Sequence, residues 1–274
     1  VTTQPRPRRR VAIAGLGAIG KAIARELDRG GIDGMALEAV ASADPAKHRG
    51  FLQSLQTLPR VRTLDRLWEE ADLVIEAAPS RLLREIVEPF VSRGKSSIVM
   101  SAAALLDNPD LIDIAKANGG QIIVPTGALI GLDAVTAAAV GTIHSVRMIT
   151  RKPVDGFRGA PFVIDNGIDL DHVDAPLKLF EGTARQAGKG FPANLNVAVA
   201  LSLAGIGPDR TMVEIWADPG VTRNTHRIEV DADSARFSMT IENVPSENPK
   251  TGMITALSAI ALLRKMEAPL QIGT

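Results

Sequence analysis

The sequence contains no cysteine. That excludes disulfide crosslinks, thiolate metal sites and a cysteine nucleophile, and it fits a cytoplasmic setting. Neither sign of charge is in excess, because 31 Lys plus Arg balance 31 Asp plus Glu. A neutral balance supplies no global field for nucleic acid or an anionic membrane, so neither is expected as a partner. No apolar run reaches the ~20 residues that span a bilayer. The longest candidate, ITALSAIALL (254–263), reads as a buried helix. Internal repeats and low-complexity tracts are missing, as are a G-x-S-x-G elbow and a phosphate-binding P-loop. His144 and His172 stand at no metal-ligand spacing from each other or from His226, so no metal site is expected.

The 274 residues exceed one typical domain, and 45% hydrophobic with 23% charged residues is ordinary globular composition, so two lobes are expected. The opening VTTQPRPRRR reads as a disordered basic tail (1–10) rather than the start of a signal peptide. The apolar residues after it have a better use. VAIA (11–14) reads as a strand, and Gly15, Gly17 and Gly20 follow in G-x-G-x-x-G spacing. Then Ile19, Ile23 and Leu27 recur at helical period until Gly30 and Gly31 stop the helix. In a dinucleotide fingerprint Gly15 permits the tight turn, Gly17 lets backbone approach a pyrophosphate, and Gly20 lets helix and strand pack closely. The helix start, with Ala18 and Ile19, offers free N–H groups to that pyrophosphate. A second strand, LEAVAS (37–42), ends at Ser42, where an acidic residue marks a preference for NAD. Asp44 follows two residues later, and Lys47, His48 and Arg49 suit a 2′-phosphate, so NAD and NADP both remain open as cofactor.

Strand and helix alternate over 11–127. ADLVIEAA (71–78), SSIVMSAAAL (96–105) and QIIVPTGAL (121–129) are the further strands. The pattern implies an α/β fold with a Rossmann-type, doubly wound parallel sheet over a dinucleotide-binding domain at 11–140. Ligands of such sheets lie at the carboxyl ends of the strands. Those ends, 15–20, Ala77, Ala78 and Pro79, Ser101 and Ala102, and 125–128 with Ala128, are expected to line one crevice. After about residue 140 the strands TIHSVRMIT, TMVEIWAD, HRIEV and ARFSMTIE occur with helices near 175–188 and 194–204. These suggest a second α+β lobe (141–248) with a mainly antiparallel sheet covered on one face. The closing helix (249–266) is expected to pack back on the first lobe. Asn248 is placed to cap it, Pro249 suits its first turn, and Lys250 and Thr251 stand at its start, where two readings are open: an anion site at the helix N-terminus, or a solvated surface lysine.

In TRNTHRIEV (222–230), His226 shares a strand face with Ile228 and Val230, while Arg227 and Glu229 take the other. Two readings stand at this point: a buried histidine satisfied by one hydrogen bond, or an acid/base group facing a cleft.

Seven stretches, taken in order, resemble the L-aspartate dehydrogenase family over nearly the whole chain: GLGAIG (15–20), VMSAAAL (99–105), VPTGALIGLDA (124–134), TRKP (150–153), FPANLNVAVALSLAGIG (191–207), DRTMVEIWADPGVTRNTHRIEV (209–230) and NPKTG (248–252). The resemblance implies NAD(P)-dependent oxidation of L-aspartate to iminoaspartate, which hydrolyses to oxaloacetate and ammonia, and the reverse amination. In some organisms the imine feeds NAD biosynthesis. The resemblance further implies that His226 is the catalytic histidine, that Asn196 contacts the nicotinamide, that the lobe at 141–248 serves substrate binding and dimerisation, and that the enzyme is a homodimer or larger homo-oligomer. A dicarboxylate substrate needs positive partners, for which Arg151, Lys152, Lys250 and the helix N-terminus at Thr251 are candidates, with Asn194 as a hydrogen-bond donor. Two positions depart from the family pattern: Ala103, where a glycine or other small residue is usual, and Ile130, where alanine or glycine is. Ile130 favours an alternative, a dehydrogenase or imine reductase for another small amino or hydroxy acid. A non-catalytic NAD(H)-sensing protein is the remaining rival.

Overall fold

A computed structural model describes residues 7–191, 195–245 and 252–273. The chain forms two compact units, one of Val1–Pro125 with Ala256–Ile272 and one of Thr126–Thr255 with Gly273–Thr274.

The first unit is built on six strands, β1 (Arg9–Ala14), β2 (Met35–Ala41), β3 (Arg60–Val61), β4 (Leu73–Glu76), β5 (Ser96–Val99) and β6 (Gln121–Ile123). They lie in the order β3-β2-β1-β4-β5-β6, and every pairing is parallel. This is the doubly wound sheet, and its strand order reverses between β1 and β4. The central strands read as unbroken apolar runs because helices cover both their faces. Val11 to Ala14 and Leu73 to Glu76 are buried throughout. The helix Ala18–Asp28 turns Ile23, Ala24 and Leu27 into the core. The helix Leu83–Val91 does the same with Ile86, Val87 and Phe90. The closing helix Ile254–Glu267 adds Ala259, Ile260 and Leu263 to the cluster formed by Val11, Ile13 and Ile23. Its Arg264 donates to the Gly31 carbonyl at 3.0 Å and pairs with Glu26. Burying one large aliphatic side chain contributes ~1.5–3 kcal/mol, so Ile260 and Leu263, with the smaller Ala259 and the Arg264 contacts, dock this helix firmly. No helix among the described residues is long and apolar enough to cross a membrane. Trp68 lies under the Arg93 guanidinium, 3.9 Å from the ring centre.

The second unit holds five strands, β7 (Ile143–Lys152), β8 (Leu177–Thr183), β9 (Thr211–Ala217), β10 (Asn224–Ala232) and β11 (Arg236–Asn243), in the order β11-β10-β7-β9-β8. Only β7 and β9 run parallel; the other pairs are antiparallel. Val146, Met148, Val213, Ile215, Ile228 and Val230 share one face and pack with Ala184, Ala187, Ala198 and Leu201 of the helices Ala184–Gly190 and Asn196–Ala204. Phe157, Phe162, Phe180 and Phe191 form a ring cluster with centroids 5.3–6.0 Å apart. Trp216 carries the Arg151 guanidinium 4.9 Å from its ring centre.

Three local expectations are corrected. The helix expected near 175–188 is β8 followed by the short helix Ala184–Gly190. Pairing with β9 overrides local helix propensity there, and Gly182 weakens a helix in any case. Thr183 then starts the helix through a reciprocal capping box with Gln186. The strand read over 96–105 stops at Val99, and Ala102–Asp107 coils into a 3-10 helix instead. The strand read over 121–129 stops at Ile123, two residues before Pro125.

Candidate functional site

In the first unit the carboxyl ends of β1, β2, β4 and β5 bring together most of the residues singled out from sequence. Gly15 leaves β1 with a φ of +102°, and its N–H donates to the Ala41 carbonyl at 2.8 Å. A side chain there would overlap the carbonyl of Ala77, and one at Gly20 would overlap the carbonyl of Gly15. Gly17 differs, since a Cβ added to it meets nothing within 4 Å. The loop is therefore tight beneath and open above, with Gly17 and Ala18 exposed and Ile19 half-buried. The first intrahelical bond runs from Lys21 N–H to the Gly17 carbonyl, so the amides of Ala18, Ile19 and Gly20 precede the helical ladder. Open space over these amides fits a pyrophosphate, whose charge the helix N-terminus favours. Ser42 follows the end of β2 and is half-buried. The Asp44 carboxylate accepts from the Lys47 N–H at 3.1 Å.

A residue that sequence reasoning passed over ties this rim together. Glu76, the last residue of β4, is wholly buried. Its carboxylate accepts from the N–H groups of Ala78, Met100 and Ser101 at 3.3, 3.1 and 2.9 Å, and from Ser101 Oγ at 3.1 Å. Burial pushes its pKa up, and the Ser101, Ala78 and Met100 donors pull the other way. A charged residue closing the apolar run LVI was the available signal. One carboxylate thus sets the backbone of two loops, the one holding Ala77, Ala78 and Pro79 and the one holding Ser101 and Ala102. Glu76→Gln turns an amide N–H toward these donors. The expected result is a cofactor KM raised several-fold with the substrate KM unchanged, read by steady-state titration of each.

In the second unit, polar side chains gather at one end of the covered sheet face. His226 on β10 is directly opposite Thr150 on β7, and His226 Nδ1 lies 3.2 Å from Thr150 Oγ1. Lys152 lies two residues beyond Thr150 on the same face. Asn224 precedes His226 by two, and Asn243 pairs with Asn224 from β11. All five are buried. Burial, then the positive charge of Lys152, lowers the His226 pKa to about 3. Burial lowers that of Lys152 to about 8. His226 is therefore a neutral imidazole at ordinary pH. Strand alternation separates the two cations of TRKP, because Arg151 faces away and donates to Asp218 Oδ2 at 3.0 Å. Thr150, Asn224 and Asn243 were not singled out from sequence. The period-two series Phe237, Met239, Ile241, Asn243 carried the signal for the last.

Ala128 is half-buried, and its carbonyl accepts from Asn243 Nδ2 at 2.9 Å. Asn196 is the half-buried first residue of its helix. Ala103 and Ile130 are half-buried as well, so the extra bulk of Ile130 is not locked into the core. Asn194, Lys250 and Thr251, along with the capping roles of Asn248 and Pro249, fall outside the described residues. Among the described residues no group of His, Asp and Glu is placed to hold a metal ion.

Comparison with known proteins agrees across both units. Residues 133–266 match the family model described as aspartate dehydrogenase, C-terminal, and residues 15–125 match that of the homoserine dehydrogenase NAD-binding domain. The chain is 69% identical over 265 residues to L-aspartate dehydrogenase of Bradyrhizobium diazoefficiens, covering 97% of this chain and 94% of that protein. It is 57% identical over 264 residues to L-aspartate dehydrogenase 3 of Bordetella bronchiseptica, covering 96% and 97%. In fold it is similar to the crystal structure of aspartate dehydrogenase from Thermotoga maritima, with a TM-score of 0.72 at 24% identity over 97% of this chain and 100% of that one.

Proposed function

The chain belongs to the L-aspartate dehydrogenase family, and from that premise we propose that it oxidises L-aspartate to iminoaspartate with NAD or NADP. The imine hydrolyses to oxaloacetate and ammonia, and the same site runs the reductive amination. The observation that carries the reading is the buried pair of His226 and Thr150 with Lys152 beside it on one face.

A bound nicotinamide would supply the hydride acceptor. The chain supplies the rest. The amides of Ala18, Ile19 and Gly20 would hold the pyrophosphate, and the loops fixed by Glu76 would help hold the rest of the cofactor. In the tautomer whose Nδ1–H donates to Thr150 Oγ1, His226 keeps a lone pair on Nε2 for the proton that leaves the substrate amine. Lys152 holds a carboxylate of the substrate. The arriving negative charge raises the proton affinity of His226, reversing part of what burial and Lys152 impose on the free enzyme.

This assignment predicts a pH dependence. Lys152 loses its charge as pH rises through about 8, so the KM for L-aspartate should climb above that pH. Lys152→Met should raise this KM by ~10–100-fold at neutral pH and flatten the climb. A KM that rises through pH 8 equally in both proteins would remove Lys152 from carboxylate binding.

The reading extends to a homo-oligomer working in the cytoplasm; the lack of cysteine is in keeping with that setting. Sedimentation at working concentration tests the assembly. The function itself is tested by the absorbance of reduced nicotinamide, with L- and D-aspartate and with NAD and NADP. Signal with the L enantiomer alone is the expected result. Silence in both reaction directions, with cofactor still bound, would instead favour an NAD(H) sensor.

A further inference from the structure

Asn243 is 3% exposed, and its two amide atoms have different surroundings. Nδ2 donates to the Ala128 carbonyl at 2.9 Å. Oδ1 is buried and has no hydrogen-bond partner among the described residues. Rotating the amide by half a turn does not resolve this, because it would set Oδ1 against the Ala128 carbonyl, acceptor to acceptor. The orientation is fixed by Ala128, and the orphan is an acceptor. The site is also confined. Pro245 and Gly252 form an antiparallel bridge beyond the end of β11, and a Cβ at Gly252 would stand 3.4 Å from Oδ1. Buried acceptors in native proteins are almost always satisfied, so one left open on a catalytic face points to a donor that arrives with a ligand.

Position says which ligand. Register sets Asn243 opposite Asn224 and His226 opposite Ile241 on the neighbouring strand, so Asn243 is diagonal to His226 on the same face. The reaction removes a hydride from the amino-bearing carbon and a proton from its nitrogen. The amino group carries up to three N–H donors and needs an acceptor besides the base, whereas the carboxylates of the substrate carry none. We infer that Asn243 Oδ1 is the acceptor for the α-amino group of the substrate and makes the site select an amino acid over the corresponding acid lacking the amine. This rests on the function proposed above and extends it to substrate selection.

The test compares two dicarboxylates of equal carbon chain, L-aspartate and succinate, which differ only in the amino group. Their Kd values are measured by calorimetry with reduced cofactor saturating, for the parent protein and for Asn243→Ala. The expected result is a Kd ratio of L-aspartate to succinate that rises ~10–100-fold, the scale of a hydrogen bond to a charged group. Succinate affinity itself stays near the parent value. Asn243→Asp keeps an acceptor oxygen and should hold the ratio at or below that of the parent. An unchanged ratio in Asn243→Ala overturns the inference, even when both ligands weaken together, since that is what loss of the Ala128 contact alone would do. Asn243→Leu, close in shape and without an acceptor, gives the same reading if the alanine variant does not fold. Turnover of L-aspartate by the parent is scored separately. A parent that binds L-aspartate without oxidising it defeats the proposed function and leaves this ratio to be judged on its own.

Discussion

His226→Ala is expected to lower kcat/KM for L-aspartate by ~10²–10⁴-fold, the range for loss of a positioned general acid/base. Cofactor Kd should stay within about twofold, because the fingerprint loop and Glu76 belong to the other unit. The histidine is at once buried, engaged through Nδ1 with Thr150, and flanked on its face by Lys152. A histidine kept only for packing would show its loss in stability and spare the chemistry. Burial adds a pH dependence of stability in either case, and the rate defect separates them. The folded pKa of His226, about 3, lies below its unfolded value of 6.5. Its contribution to stability is therefore complete above pH ~6.5 and is lost as pH falls toward ~3. The alanine variant should show a flatter decline of Tm over that window, along with its rate defect near neutrality. A variant that keeps near-normal kcat/KM while its Tm drops would reduce His226 to a packing residue.

The second large effect is a contrast between two glycines three residues apart. Gly20→Ala drives a methyl into the carbonyl of Gly15 and to 3.3 Å from Ile13 Cγ2. Both obstacles are rigid, one being backbone and the other a side chain inside the core. The helix must lift from β1, and overpacking of that kind costs ~3 kcal/mol, or about 10 °C in Tm. Gly17→Ala meets nothing within 4 Å, so the fold should tolerate it with Tm changed by less than about 2 °C. Its methyl occupies the open space that fits the pyrophosphate, and cofactor KM should rise at least ~10-fold. Thermal melts without cofactor and cofactor titrations of both variants check the pair. If Gly17→Ala bound cofactor as the parent does, the pyrophosphate would have to lie elsewhere.

The dinucleotide fold was legible because its signal is local. Gly15, Gly17 and Gly20 between a strand and a helix fix the backbone by sterics within one short segment, and alternation does the rest. His226 was legible in orientation because strands place side chains by parity. What stayed hidden depends on partners far along the chain. Glu76 reads as a stray charge until Met100 and Ser101 are folded over it. Lys152 and Arg151 are indistinguishable as neighbours in sequence, and β7 turns one in and the other out. Asn243 becomes notable only when Ala128, 115 residues away, takes one half of its amide. The misread helix near 175–188 has the same origin, because β9 recruits those residues into a sheet that local preference does not announce.

The placement of the two tryptophans has a practical consequence. The chain has no tyrosine and two tryptophans, Trp68 in one unit and Trp216 in the other. Each lies beside cations, Arg93 and Lys95 for the first and Arg151 and Lys178 for the second. Each unit therefore carries its own intrinsic fluorophore, with no tyrosine emission beneath it. Replacing either indole by phenylalanine yields a chain whose emission reports one unit alone, so the unfolding of the cofactor-binding unit and that of the His226 unit can be followed as separate optical signals in the intact enzyme.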